Sequence, residues 1–344
     1  MGTRGRLRPV RVRRTVAAVC AVLATSALLS GCFDTDFGGG DMAVINDDGV
    51  AVGMIRVRDE VGNVRTETVA IDTESGDRTV FAPPGGWPYT MPTPTGLADD
   101  GMVIAVAAQG FLPVGLRWWP ATGEVELAPQ DHFEATFLGT VSDGGIAGGY
   151  GRDGDAVTPI LWDGDEVVDL SAVPGAPVAK LGNAQVVAVN DHRQVVGRAI
   201  FDGVLHLFTW DAATGFRFRP YEDGQLSAIN DDGVIVGSTF DAGIGQYRQA
   251  WYDWATLTPH PLGELGLLRE VNDRNMAVGT AIRFEDGTAV GYEVCADLMA
   301  GSVTDLRDGK GYFAADLNDA GAVVGNGSSR AGMWNPGTCV PSSG

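Results

Sequence analysis

Apolar and polar positions alternate in blocks along the chain, and one block recurs. Segment 45–53 reads INDDGVAVG, and segment 229–237 repeats it almost unchanged as INDDGVIVG. An apolar run into an Asn/Asp/Gly turn, followed by an apolar run out, is typical of a β-hairpin. Asn and Asp side chains cap such turns by accepting backbone N–H groups, and Gly takes the positive φ.

Seven copies of this hairpin share an Asp in the turn, and the spacings are 52, 44, 48, 40, 42 and 46 residues. The seven turn residues are Asp47, Asp99, Asp143, Asp191, Asp231, Asp273 and Asp319. The residue two positions after the Asp is Gly in five copies and Asn275 in another. In the remaining copy, after Asp191, it is Arg193, which predicts a different turn there. Six residues after the Asp, Gly stands in six copies, which predicts a bulge or a close backbone approach.

Most repeats carry two further apolar runs. The third run ends in an aromatic residue, as in 116–119 (LRWW), and a Gly-containing turn leads to a fourth, as in 124–127 (EVEL). Four short strands per repeat of about 45 residues predict an all-β chain, a seven-bladed β-propeller. A β-solenoid is the alternative. The last repeat stops after its third strand, and we expect residues 41–44 to close the ring.

The N-terminus has the pattern of an export signal. Six arginines precede an apolar run over 16–29, which is too short to span a bilayer comfortably. The run ends in Leu29-Ser30-Gly31-Cys32, which resembles a bacterial lipobox, in which the Cys is acylated; an ordinary secretory peptide is the alternative. We predict a lipoprotein signal peptide over 1–31, lipidated Cys32 and a flexible tether over 32–41, a propeller over 42–340, and a C-terminal tail over 341–344. The protein is then expected on the outer face of the bacterial cell membrane, with the export route (Sec or Tat) open.

Composition narrows the classes of partner. The chain of 344 residues carries a formal charge of −20, and removal of the six N-terminal arginines leaves 18 basic against 44 acidic residues, a net charge of −26. Such a surface repels nucleic acid and anionic lipid, so membrane attachment is expected through the lipid anchor alone. The 49 glycines fit many tight turns. We expect a monomer.

Two cysteines remain once Cys20 is discarded with the signal and Cys32 carries lipid. An exported chain favours disulfides, so we predict a Cys295–Cys339 bridge between the third strands of the last two repeats.

The repeat resembles that of the HAF-repeat family of bacterial extracellular proteins. The IN-x-x-G-x-V-V-G-like hairpin covers all seven repeats, an H-A-F-L-W-like strand is present at 206–210 (HLFTW), and 256–266 (TLTPHPLGELG) matches the third element. The resemblance implies an extracellular location and a repeat architecture, and it implies no catalytic residues.

Motifs for enzymatic chemistry are weak. Segment 149–154 (GYGRDG) formally matches G-x-G-x-x-G, but a strand pattern follows where a dinucleotide site needs a helix. The four histidines are spread along the chain without metal-ligand spacing, and no nucleophile elbow is present. We therefore expect no cofactor.

The densest acidic cluster is Asp153, Asp155, Asp163 and Asp165. Turn capping and solubility explain it, and a weak cation site is the alternative.

A Pro-rich loop over 83–94 breaks the repeat and carries Trp87 and Tyr89. Aromatic side chains on a rigid loop are candidate ligand contacts. The alternative is that Trp87 folds back over the strand ends.

These observations predict a lipid-anchored extracytoplasmic binding or scaffold propeller that engages a protein or a cell-envelope glycan. A polysaccharide hydrolase or lyase and a purely structural surface protein are the alternatives. An enzyme needs two or three carboxylates, or a His, converging in the central funnel. The innermost strands look apolar and Gly-rich, which favours a protein without catalysis.

Overall fold

The computed structural model describes residues 34–310, 312–327, 330–335 and 337–341, and their regular secondary structure is almost wholly β-strand. The predicted signal peptide, Cys32 and residues 342–344 of the predicted tail lie outside the described residues. Within the described ranges, no helix is long and apolar enough to cross a membrane.

We number the repeats 1 to 7 after their turn Asp. Repeats 1 and 2 contain β1 (Thr35–Ile45), β2 (Val50–Arg58), β3 (Val64–Asp72), β4 (Arg78–Val80), β5 (Thr93–Leu97), β6 (Val103–Gln109), β7 (Leu112–Trp119) and β8 (Glu124–Leu127). Repeats 3 and 4 contain β9 (Ala135–Val141), β10 (Ala147–Asp153), β11 (Ala156–Asp163), β12 (Glu166–Asp169), the short helix α1 (Val178–Leu181), β13 (Ala184–Val189), β14 (Val195–Phe201), β15 (Val204–Asp211) and β16 (Gly215–Pro220).

A 3₁₀ turn at Tyr221–Asp223 leads into the last three repeats. These contain β17 (Gly224–Ile229), β18 (Val234–Asp241), β19 (Gln246–Asp253), β20 (Pro259–Val271), β21 (Met276–Glu285), β22 (Thr288–Asp297), β23 (Ser302–Lys310), β24 (Tyr312–Leu317), β25 (Val323–Gly327) and β26 (Arg330–Trp334).

The strands form five antiparallel sheets. Three have four strands in chain order, β5–β8, β9–β12 and β13–β16, and two have seven strands. The larger sheets arise because β1 and β20 each pair on both sides with strands of two neighbouring repeats: β1 with β26 and β2, and β20 with β19 and β21. The sheets are therefore fewer than seven separate four-stranded units.

The N-terminal segment is a strand from Thr35 onward, so the prediction of a flexible tether up to Asp41 is wrong over that part. Residues 35–39 pair with β26, slightly upstream of the segment expected to close the ring. Without this pairing, the outer edge of β26 would present unpaired N–H and C=O groups; the N-terminal strand provides their hydrogen-bond partners. An ion pair between Arg330 and Asp36 joins the same two strands.

The core is distributed between repeats. Seven clusters of buried apolar side chains each draw on two consecutive repeats, and one of them joins repeat 7 to repeat 1. Aromatic residues of the third strands, such as Trp118, Trp162 and Trp334, are fully buried in them. Each sheet is thus covered on both faces, which is why few strands alternate cleanly.

Every first strand carries a β-bulge at the same place. The extra residue lies four positions before the repeat Asp, and the set is Ala43, Thr95, Gly139, Val187, Ser227, Arg269 and Ala315. The Gly six residues after the repeat Asp lies close to the backbone of this first strand. A Cβ at Gly237, for example, would lie 2.0 Å from the Gln225 carbonyl oxygen. The bulge and the close backbone approach that were predicted from this Gly are therefore both present.

The turn at Arg193 does not differ from the others, so that prediction is wrong. Arg193 has φ 55°, in the same left-handed region as Gly49 at 76°. Its N–H donates to the Asn190 carbonyl, as the Gly49 N–H donates to Asn46.

Candidate functional site

The first strands of the seven repeats surround an axial channel. Its narrow chamber, about 200 Å³, lies at the Asp turns and takes one segment from each repeat: 43–47, 95–97, 139–143, 187–190, 227–231, 270–273 and 315–317. Its wide mouth, about 410 Å³, lies at the other end and is lined by repeats 3 to 6. Gly139, Val187, Ser227 and Glu270 line both spaces, so the two are continuous.

A closed ring of hydrogen bonds joins the seven Asp turns at the chamber end. In six of the seven links, an Asp carboxylate accepts a backbone N–H from the preceding repeat. The links are Asp47 N to Asp99 Oδ1 (3.2 Å), Asp99 N to the Asp143 carbonyl (3.0 Å), Gly144 N to Asp191 Oδ1 (2.7 Å), Asp191 N to Asp231 Oδ1 (2.9 Å), Asp231 N to Asp273 Oδ1 (2.9 Å), Asp273 N to Asp319 Oδ1 (3.0 Å) and Asp319 N to Asp47 Oδ1 (2.7 Å).

The Asn that precedes the Asp makes a different set of hydrogen bonds from the Asp. Asn230 is buried, its Oδ1 accepts the Val234 N–H of its own turn at 2.8 Å, and its Nδ2 donates to the Asn272 carbonyl of the next repeat at 2.9 Å. The sequence predicted that both the Asn and the Asp side chains cap the turn, and the structure shows that the Asn does so. The Asp side chains instead connect neighbouring repeats, so the capping role predicted for the repeat Asp is wrong.

The ring concentrates negative charge. Partial burial raises the pKa of Asp143 to about 7, with the charges of Asp99 and Asp273 acting in the same direction. Burial also raises the pKa of Asp99, Asp273 and Asp319, although each accepts backbone hydrogen bonds that oppose the change.

Three charged residues interrupt the otherwise small and uncharged bulge region of the channel. Arg269 is engaged: Nη1 lies 2.8 Å from Glu293 Oε2, and its guanidinium stacks 4.1 Å from the Phe313 ring. Asp316 accepts the N–H groups of Ile45 and Leu317, both at 2.8 Å. Glu270 receives no hydrogen bond or ion pair from any residue that the structure describes.

Burial raises the pKa of the Glu270 carboxyl, and the charge of Asp316 raises it further. Burial likewise raises the pKa of Asp316. The expectation of innermost strands without converging carboxylates is therefore wrong for repeats 6 and 7. The signal was present in the aligned copies, because the positions three and four before the Asp hold uncharged, mostly small residues except at Arg269, Glu270 and Asp316.

The wide mouth holds aromatic and planar polar side chains in pairs. Phe137 and Tyr150 are cross-strand partners with ring centroids 5.0 Å apart and planes 4° apart. In the next repeat Gln185 and Arg198 are cross-strand partners, and the Gln185 amide oxygen accepts from the guanidinium. In repeat 5 Gln225 donates to the Tyr221 hydroxyl. Sequence analysis missed these residues because all of them lie outside the repeated turn motif. Three stand six residues before the turn Asp, two lie on the paired second strand, and Tyr221 lies in the 3₁₀ turn before β17.

Trp87 and Tyr89 lie outside the channel and pack on the core of repeats 1 and 2. The Trp87 ring contacts Phe81 at 5.8 Å and Tyr89 at 4.9 Å, and Nε1 donates to the Thr90 carbonyl at 3.3 Å. Trp87 thus folds back over the strands, which is the alternative to ligand contact.

The four aspartates considered for a cation do not meet, so that site is wrong. Asp153 and Asp155 lie at the β10–β11 turn, whereas Asp163 and Asp165 lie at the β11–β12 turn, at the opposite end of β11. A strand of that length separates them by about 25 Å. Asp165 lies 3.4 Å from Arg117, and Asp163 pairs with Arg193. No cluster of three or more metal-ligating side chains occurs in the described part of the chain.

A disulfide joins Cys295 to Cys339, with Cα atoms 5.6 Å apart. Cys295 lies on β22, the third strand of repeat 6, as expected. Cys339 lies in the turn after β26, beyond the third strand of repeat 7.

No protein-family model matches the chain, and no curated protein matches it in sequence. Among solved structures, it is similar to the β-propeller domain of the Trilobed protease from Pyrococcus furiosus, with TM-score 0.56, 10% identity and coverage of 86% of this chain and 92% of that one. It is also similar to an acylaminoacyl peptidase from Pyrococcus horikoshii, with TM-score 0.52, 10% identity and coverage of 87% and 51%.

A third similar structure is TolB from Acinetobacter baumannii, with TM-score 0.44, 14% identity and coverage of 81% of this chain and 66% of that one. The chain therefore spans about half the length of the peptidase and about two thirds of TolB. At such identities a similarity shows the fold alone, and the similarity to the Trilobed protease domain shows a β-propeller, so the β-solenoid alternative is not supported.

Proposed function

We propose that the protein is a lipid-anchored, extracytoplasmic propeller of seven four-stranded blades that binds a protein or a cell-envelope glycan in its channel. The closed ring through seven Asp turns, and the seven core clusters between consecutive repeats, support the blade count. Strands β1 and β20 then each serve two adjacent blades. Membership of the HAF-repeat family belongs to this proposal and rests on the motifs quoted above.

The wide mouth carries the binding proposal. It is a cavity of about 410 Å³ in which Tyr150, Arg198 and Tyr221 converge from three repeats. A concave site with aromatic walls and a few polar groups has the usual character of a ligand site. The mouth is the larger of the two spaces of the channel, so we expect a ligand to enter there.

The position of Asp34 indicates how an anchored protein would be oriented relative to the membrane. Asp34 donates its N–H to the Met333 carbonyl and accepts the Asn335 N–H, both at 3.0 Å. Beyond the end of β26, Gly337 hydrogen bonds to Ala320 in the Asp turn of repeat 7. Cys32 is two residues earlier, within about 7 Å of chain. An anchor there attaches at the Asp-turn end, and the wide mouth opens away from the bilayer.

Replacement of the proposed lipid acceptor tests the anchor. Cys32→Ala removes the acyl-accepting thiol, so the protein is expected to move from the membrane fraction to the soluble extracytoplasmic fraction. Cell fractionation followed by immunoblotting measures this, and Ser30→Ala, which keeps a small residue before the Cys, is the control. Unchanged membrane retention of Cys32→Ala would overturn the anchor.

Binding is tested with the full chain, immobilised from detergent and incubated with bacterial cell-envelope fragments. Arg198→Ala is expected to lower retention of envelope material about tenfold, because one charge-assisted hydrogen bond in a cleft has about that effect. Arg193→Ala, an exposed arginine at the Asp-turn end, is the matched control. Equal retention by Arg198→Ala and the unsubstituted protein would place binding outside the mouth.

A polysaccharide hydrolase is the second candidate, and the neighbouring carboxylates Glu270 and Asp316 favour it. Paired carboxylates with raised pKa supply the acid and base of glycoside cleavage. The same incubation decides between them: new reducing ends that disappear in Glu270→Gln indicate hydrolysis, whereas retention without new ends indicates binding alone.

A further inference from the structure

We propose that the ligand of the wide mouth is a carbohydrate chain without net charge, stacked on the Tyr150–Phe137 pair and hydrogen bonded by Gln185, Arg198, Gln225 and Glu270. This inference rests on the proposed binding function and names the ligand class of the same site.

The aromatic pair supplies the apolar contact. Phe137 and Tyr150 are half-buried, their ring planes are nearly parallel, and cross-strand pairing on β9 and β10 fixes them. A rigid aromatic surface offers contact area at low entropic cost. Sugar rings have apolar C–H faces that suit such a surface, while their edges carry hydroxyl groups.

The polar side chains around the pair suit those hydroxyl groups. Gln185 and Gln225 each offer a donor and an acceptor, Arg198 offers donors only, and the Glu270 carboxyl group offers acceptors, with a donor as well when it is protonated. A hydroxyl group both donates and accepts, so a polyhydroxy ligand can satisfy all of them. Because Glu270 has no partner among the described residues, a ligand hydroxyl would supply its missing hydrogen bond.

The mouth carries charged groups of both signs. Arg198, Arg269 and Glu270 line it, Arg269 is paired with the buried Glu293, and burial raises the pKa of Glu270. A polyanion or a polycation would meet a like charge here, whereas a neutral ligand meets none. The mouth therefore differs from the Asp-turn end, where carboxylates dominate.

Space at the base of the mouth also fits a chain end. The bulge positions next to the mouth hold Gly139, Val187 and Ser227, which leave the axis open down to Glu270. A volume of about 410 Å³ lies within the usual range for small-ligand sites. The mouth thus admits a short terminal segment of a glycan.

The test uses the full chain in detergent and three portions of one cell-envelope preparation: untreated, digested with proteinase K, and oxidised with periodate, which cleaves vicinal diols. Retention is expected to survive proteinase digestion and to be lost after periodate. Tyr150→Ala is expected to weaken retention of the digested portion about tenfold. Tyr247→Ala is the matched control, since Phe240 and Tyr247 form an aromatic cross-strand pair outside the mouth, 5.3 Å apart.

The outcomes separate this inference from the proposed function. Loss of retention after proteinase, or retention after periodate, would overturn the carbohydrate assignment and leave a binding propeller in place. Failure to retain the untreated portion would overturn both. If Tyr150→Ala does not fold, as judged by its near-UV circular dichroism, Gln225→Ala takes its place with the same expectation.

Discussion

At the scale of the residue, the repeated Asp joins neighbouring repeats and also brings carboxyl groups close to one another. Its carboxylate accepts the backbone N–H of the preceding repeat, as Asp273 does for Asp231 at 2.9 Å, and so joins consecutive repeats. The same geometry crowds seven carboxyl groups around one axis. Hydrogen bonding favours the ionised form, whereas burial and mutual repulsion disfavour it.

The crowding predicts a pH dependence of stability. The pKa of Asp143 is about 7 in the folded protein and 3.8 in an unfolded chain, so between these values only the folded state holds the proton. The free energy of unfolding is therefore expected to fall as pH rises from about 5 to 7, and Asp143→Asn is expected to flatten part of this slope. Thermal melts followed by circular dichroism at several pH values measure it.

Asp72→Asn is the control for that series. The N–H of Ser75 and other turn hydrogen bonds lower the pKa of Asp72, so its charge does not change in this window. Its slope between pH 5 and 7 should equal that of the unsubstituted protein. A stability that rises with pH, or an Asp143→Asn slope equal to the unsubstituted one, would contradict the account.

At the scale of the element, ring closure depends on a strand from the other end of the chain. The third strand of repeat 7, β26, is followed by a turn, and Thr35–Gly39 supplies its outer neighbour. The disulfide acts on the same region, because it fastens the turn after β26 to β22 of repeat 6. Both terminal repeats are thus held by a contact that is distant in sequence.

Removal of the disulfide is expected to lower stability. The bridge spans 44 residues, and restricting an unfolded loop of that length contributes about 4 kcal/mol in the chain-entropy estimate. Cys295→Ser with Cys339→Ser should lower the free energy of unfolding by about that amount in guanidinium titrations. Reductant should destabilise the unsubstituted protein and leave the double variant unchanged. An unaltered unfolding midpoint in the double variant would contradict this role.

At the scale of the whole molecule, the two ends of the channel differ. The Asp-turn end is narrow and acidic, and Asp34 lies beside it. The other end is wider and is lined by aromatic and amide groups, two guanidinium groups and the Glu270 carboxyl group. An anchor at Cys32 would therefore direct the binding end toward the cell envelope, and the net charge of −26 would keep the domain from adhering to anionic lipid.

The local features of this protein were determined by sequence. Hairpins, turn residues and the Gly six residues after the turn Asp follow from pairing within one hairpin, the third-strand aromatics are marked by their apolar character, and the two unassigned cysteines left one pairing. These features depend on backbone conformation and on apolar burial, which a linear pattern records directly.

Only the tertiary structure decided what the repeats do together. Six-residue offsets from the turn Asp bring Phe137, Gln185 and Gln225 to one rim, although 40 and 48 residues separate their repeats. The same assembly separated Asp153 from Asp163, laid Trp87 against the core and left Glu270 without a hydrogen-bond partner among the residues that the structure describes. Channel, mouth and closing strand arise from contacts between repeats, and no spacing within a single repeat encodes which side chains will face one another across an axis.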